Sequence, residues 1–152
     1  MELATMPNEV AAVPMWVENS LELPRCCPVS KNPQPGSTLT LRYRARERVL
    51  EVYSLKQYIQ QFVGGHPDGT RNMEAMIQNI AQTCANLLGT PVRACADLEL
   101  MPYQKMRLVC TAKPNDLLPG NPSTAVVGPS DGAAVRVPPP PGRPEEAATS
   151  DL

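Results

Sequence analysis

One long apolar stripe constrains this chain more than any other feature. Met73, Met76, Ile77, Ile80, Cys84, Leu87 and Leu88 recur at helical spacing, and Gly89 follows them. That spacing predicts an amphipathic helix, stopped by a glycine, with one face that must find apolar cover. The cover is written on both sides of it with a period of two. Thr38 to Ala45 places Leu39, Leu41, Tyr43 and Ala45 on one side and Thr40, Arg42 and Arg44 on the other. Val92 to Met101 alternates through Ala94, Ala96, Leu98 and Leu100, and Lys105 to Ala112 through Met106, Leu108, Cys110 and Ala112. Alternation of this kind marks half-buried strands.

The rest of the order follows from turn and cap signals. A turn near Arg46-Glu47 leads to a second strand, Val49 to Tyr53. Ser54 then reads as the N-cap of a helix carrying Leu55, Tyr58, Ile59 and Phe62, ended by Gly64-Gly65. The order is strand, strand, helix, helix, strand, strand. The expected architecture is α+β: an antiparallel four-stranded sheet with both helices on one face. Two open sheet edges and a face without an evident cover favour a homo-oligomer.

Composition divides the chain. Nine of the 18 prolines lie at or beyond Pro114, and no aromatic residue follows Tyr103. Such a segment buries too little apolar surface to offset its ordering entropy. The expected organisation is an N-terminal arm over 1–14, a folded domain over 15–113 and a disordered Pro/Gly/Ala-rich tail over 114–152. A net charge of −1 gives no electrostatic footprint for direct nucleic-acid binding. No apolar run approaches the roughly 20 residues that span a bilayer. The N-terminus lacks the basic-then-apolar pattern of a signal peptide. Five cysteines, two of them adjacent, suit reduced thiols, so the expected location is cytoplasmic, with no membrane partner.

Few residues carry chemistry. Cys26-Cys27-Pro28-Val29-Ser30-Lys31 precedes the first alternating strand, and a cysteine near a lysine in such a loop suits a nucleophile. It equally suits a loop cysteine without a role. Paired metal-ligand spacings are absent and His66 is the sole histidine, so no metal site is expected. His66 reads as part of a glycine-rich turn. Glu51 and Glu74 are carboxylates at element ends. Glu74 opens a helix, where the dipole favours it, and a carboxylate also accepts the paired N–H donors of a guanine-like edge.

Taken together, Cys27-Pro28-Val29-Ser30 with Pro33, then Leu50-Glu51-Val52-Tyr53-Ser54-Leu55-Lys56-Gln57-Tyr58, then Glu74 before a long helix, resemble the QueF family. These are tunnel-fold enzymes, the 7-cyano-7-deazaguanine reductases. The resemblance covers roughly residues 25–112. It implies subunits assembled into an oligomeric barrel with active sites between them. It implies that Cys27 matches the cysteine that attacks the substrate nitrile. Glu74 matches the glutamate that grips the pyrimidine edge, with Met73 where the family has histidine. Leu50, Glu51 and Val52 match the segment lining the base pocket. Ser54 and Lys56 belong to the signature associated with NADPH in reductases, and Tyr53 replaces that signature's first lysine. The zinc-dependent GTP cyclohydrolases of the same fold share the Cys-Pro-x-Ser-Lys loop, but their metal needs histidines that this chain lacks.

One departure redirects the expectation. The family's proton-donating aspartate falls on Gln34, and no Asp or Glu occurs between Cys27 and Glu47. An amide is a poor proton donor, yet it does not repel a carboxylate and can donate a hydrogen bond to one. The expected substrate is therefore 7-carboxy-7-deazaguanine, decarboxylated without reduction, with Cys27 and Gln34 as the catalytic pair and no cofactor. NADPH-dependent reduction of the 7-cyano base is the alternative, followed by a catalytically dead deazaguanine-binding subunit.

Overall fold

A computed structural model describes residues 2–65, 69–70 and 72–115. Its elements are β1 (Thr5–Pro7), β2 (Met15–Glu22), β3 (Thr38–Ala45), β4 (Arg48–Leu50), α1 (Val52–Gln60), α2 (Met73–Leu88), β5 (Val92–Leu100) and β6 (Gln104–Ala112). The architecture is α+β. An antiparallel four-stranded sheet has the order β2-β3-β5-β6, and β1 pairs with β4 in a separate two-stranded sheet. His66 and residues 116–152, which include nearly all of the expected tail, lie outside the described residues. No helix among the described residues is long and apolar enough to cross a membrane.

Register sorts the sheet into two faces. Leu39, Leu41 and Tyr43 of β3 stand opposite Ala96, Ala94 and Val92 of β5, and all six are fully buried. Small alanines facing large residues let the sheet sit close under α2. Met76, Ile77, Ile80, Ala81, Cys84, Ala85 and Leu88 of α2 join the same core, as do Leu55, Tyr58 and Ile59 of α1. Burying each large apolar side chain contributes about 1.5–3 kcal/mol. Asn72 caps α2 by accepting the Ala75 N–H at 2.7 Å. Gly89 ends it in the left-handed conformation, φ 64°, where a side chain would be strained.

Sheet membership differs from expectation in one strand. The edge place expected for Val49–Tyr53 belongs to β2, paired along its length with β3. β2 hides in the sequence because its inner side reads Val17, Asn19, Leu21, and the asparagine interrupts the apolar alternation. Asn19 Oδ1 is buried without a hydrogen-bond partner.

The chain leaves β4 after Leu50 because of Glu51. Its carboxylate accepts the N–H groups of Tyr53 at 2.9 Å and Ser54 at 2.7 Å, which turns the backbone into α1. Glu51, and not Ser54, is therefore the N-cap. Those two bonds hold its carboxyl below the usual glutamate range. Ser54 is buried inside the helix. Its hydroxyl accepts the Ala4 N–H at 2.9 Å and donates to the Glu51 carbonyl at 2.9 Å. Residues 1–14, expected as an arm, thus supply β1 and the buried Leu3.

The buried Tyr43 hydroxyl accepts the Leu50 N–H at 2.9 Å and ties β3 to the end of β4. Tyr43→Phe leaves that N–H unpaired. It should cost about 1–3 kcal/mol in urea denaturation, with the slope unchanged. A variant as stable as the wild type would contradict this assignment.

Candidate active site

The loop from Leu23 to Ser37, between β2 and β3, carries the vicinal cysteines. One residue organises it. The Asn32 carbonyl accepts the N–H groups of both Cys26 and Cys27 at 3.0 Å. The Asn32 side-chain oxygen accepts the Met101 N–H at 2.9 Å, which ties the loop to the β5–β6 turn. Lys31 is held at φ 60°, a conformation that costs a side-chain-bearing residue about 1–2 kcal/mol. Ser37 closes the far end through its hydroxyl, which donates to the Gln34 carbonyl at 2.7 Å and accepts the Glu99 N–H at 2.9 Å.

The two thiols end in opposite surroundings. Cys26 is buried, with Sγ 3.8 Å from Met76 Sδ, and its carbonyl accepts the Gly64 N–H at 2.7 Å. Burial first, then the neighbouring Cys27, pushes its thiol up to about 11. Cys27 sits over a tight turn, with the Ser30 N–H 3.4 Å from Sγ. The Ser30 hydroxyl, then the Ser30 and Val29 N–H groups, hold its thiol below the ordinary value. Hydrogen-bond donors aimed at sulfur favour the thiolate. Of the pair, Cys27 has the more readily ionised thiol and Cys26 is packing.

Cys27 opens on a cleft of about 440 Å³, within the size range of small-molecule sites. The start of α2 lines the same cleft, with Asn72, Met73 and Glu74. Phe62, Met76, Leu100 and Met106 give it apolar surface. Glu74 is exposed in the first turn of α2, where the helix dipole favours a carboxylate. Forty-seven positions separate Cys27 from Glu74 in the chain, yet they line one cavity. The lining offers a thiol, a carboxylate and apolar surface. That suits a flat, nitrogen-rich ring.

The other residues singled out from sequence lie elsewhere. Gln34 does not line the cleft, and its amide donates to the Lys31 carbonyl at 2.8 Å and to Asn32 Oδ1 at 3.4 Å. It braces the cysteine loop instead of offering a donor to a ligand. Leu50 is core, and Glu51 is occupied as the cap of α1. Val52 and Lys56 line a second cleft of about 790 Å³ between β2 and α1, which holds no thiol. Ser54 is buried, with its hydroxyl bonded to Ala4 and Glu51. Asn32 was not singled out from sequence. Its one signal is an Asn followed by Pro in a loop, a common turn marker.

Neither the protein-family models nor the curated proteins contain a match to this chain.

Iodoacetamide should alkylate Cys27 first in the native protein. Its rate should rise with pH around a midpoint below the roughly 8.5 of a free thiol. Ser30→Ala should move that midpoint up, because it removes the largest of the contacts that favour the thiolate. Peptide mass mapping reads both, and preferential labelling of Cys26 would overturn the assignment.

Proposed function

We propose that this chain is an enzyme that binds a 7-substituted 7-deazaguanine in the Cys27–Glu74 cleft and removes a C7 carboxylate without reduction. The carrying observation is the shared cavity. A thiol with a lowered pKa and a carboxylate at a helix start line one space. Glu74 accepts the two N–H donors of the pyrimidine edge, a charge-assisted pairing. Met73, Met76 and Phe62 lie against the ring faces, and the C7 substituent points to Cys27.

The chemistry balances without an oxidant or reductant. The Cys27 thiol gives its proton to C7. The C7–carboxylate bond then breaks, its electron pair returns to the ring and carbon dioxide leaves. The thiolate, stabilised by the Ser30 N–H, takes a proton from solvent. A thiol tuned toward the working pH serves this step well. Gln34 contributes by being neutral: the cysteine loop carries no carboxylate to repel the substrate. In this reading the subunits are cytoplasmic and assemble edge to edge through β2 and β6 in a tunnel-fold barrel.

One observation favours the alternative, NADPH-dependent reduction of the 7-cyano base: a thiolate-favouring turn also suits attack on a nitrile. Against it stand the commitment of Ser54 and the loss of an acid at position 34.

The test is carbon dioxide release from 7-carboxy-7-deazaguanine in deuterium oxide, with the product examined for deuterium at C7. Cys27→Ala should lower the rate at least about 10²-fold. Glu74→Gln should chiefly raise KM. NADPH consumption with the 7-cyano base, without carbon dioxide release from the acid, would replace this reading with the alternative.

A further inference from the structure

The outer face of the four-stranded sheet carries a second candidate site. Trp16 stands on it with 64% of its surface exposed, the only tryptophan in the chain. The Arg42 guanidinium lies 5.0 Å from its ring centroid, a cation–π contact. Arg44 is directly opposite Trp16 across the β2–β3 register. Arg93 is directly opposite Arg42 across β3–β5. Like charges set opposite each other on a sheet are destabilising. The cost is not relieved locally, because Arg42, Arg44 and Arg93 form no ion pair with any described residue. Glu18 stands opposite Arg42 on the other side without pairing to it. At the other end of the same face both cations are paired, and Glu22 adds a further carboxylate. Arg107 bridges Asp97 at 2.7 Å and Lys105 bridges Glu99 at 3.2 Å. The arginine end is therefore the one place on this face with unanswered positive charge. A depression of about 260 Å³ lies there, lined by Trp16, Arg42, Pro91, Arg93 and Thr111.

We propose that this depression binds a mononucleotide. Its phosphate bridges Arg42 and Arg93 and its base stacks against the Trp16–Arg42 pair. Guanidinium forks match phosphate oxygens geometrically, and an anion shared between the two arginines removes their repulsion. An indole with a guanidinium beside it is a stacking platform for a base. One aromatic residue gives a platform for one base, which favours a single nucleotide over a strand. The site is separate from the Cys27 cleft and does not depend on its chemistry.

Trp16 is its own reporter. Guanosine 5′-monophosphate should quench its fluorescence saturably in the full-length protein. Guanosine, ribose 5-phosphate and inorganic phosphate should each bind at least about tenfold more weakly, since each lacks half of the recognition. Arg93→Gln should weaken the nucleotide about tenfold or more, with circular dichroism confirming an unchanged fold. Glu74→Ala should leave the quenching intact, which separates this site from the cleft. Absence of saturation, or an Arg93→Gln protein that binds equally well, would overturn the proposal. So would inorganic phosphate binding as tightly as the nucleotide. Oligothymidylate binding much more tightly than the nucleotide would assign the face to a strand, and would overturn it too.

Discussion

Everything in this fold leans on the burial of α2 against one face of the sheet. Ile77, Ile80, Ala81 and Cys84 share one core with Leu39, Leu41, Tyr43, Ala94 and Ala96, all with essentially no exposure, and α2 packs on β5 and β6. That packing sets the helix axis, and the Asn72 cap sets where the helix begins. Together they place Met73 and Glu74 at the mouth of a cleft. The helix thus supplies core along its length and site at its first turn. A change that shifted α2 by one turn would cost both.

The cysteine loop lines the same cleft, and it is held by polar contacts more than by apolar burial. Asn32 binds two backbone N–H groups inside the loop and one from the β5–β6 turn. Gly64 fastens the Cys26 carbonyl from the end of the α1 segment. These contacts force the vicinal cysteines apart in chemistry. Cys26 turns inward beside Met76 and keeps its proton. Cys27 faces outward over the N–H groups of its own turn and loses it more readily.

How much of this was legible in the sequence depends on the range of the interaction involved. The inner faces of β3, β5 and β6 and the stripe of α2 were readable, because burial on one face imposes a period; Leu87, read as part of that stripe, is exposed instead. β2 was not, because Asn19 occupies an inner position. β1 is three residues long and pairs with a strand more than 40 positions away, so no local pattern announces it. The start of α1 was misplaced by three residues because Ser54 is a common cap and Glu51 is not. A glutamate reaching two N–H groups outcompeted it. At the site, the cysteine loop and Glu74 were candidates from the residues themselves and Met73 came from the resemblance, and Cys27, Met73 and Glu74 line one cavity. Gln34 was readable as a neutral residue where an acid is expected, but not as a brace, since that depends on where Lys31 and Asn32 lie. Asn32 itself acts through tertiary hydrogen bonds that leave no spacing to read.

The proposed function requires Cys27 and Glu74 to address the same bound ring. Protection of Cys27 by 7-deazaguanine, the product lacking a C7 group, tests it most directly. The rate of iodoacetamide labelling at Cys27 is followed as the base is added, in the wild type and in Glu74→Ala. The account predicts saturable protection in the wild type that needs far more base in the variant. Labelling of Cys27 that is indifferent to the base, or protection untouched by Glu74→Ala, would contradict it.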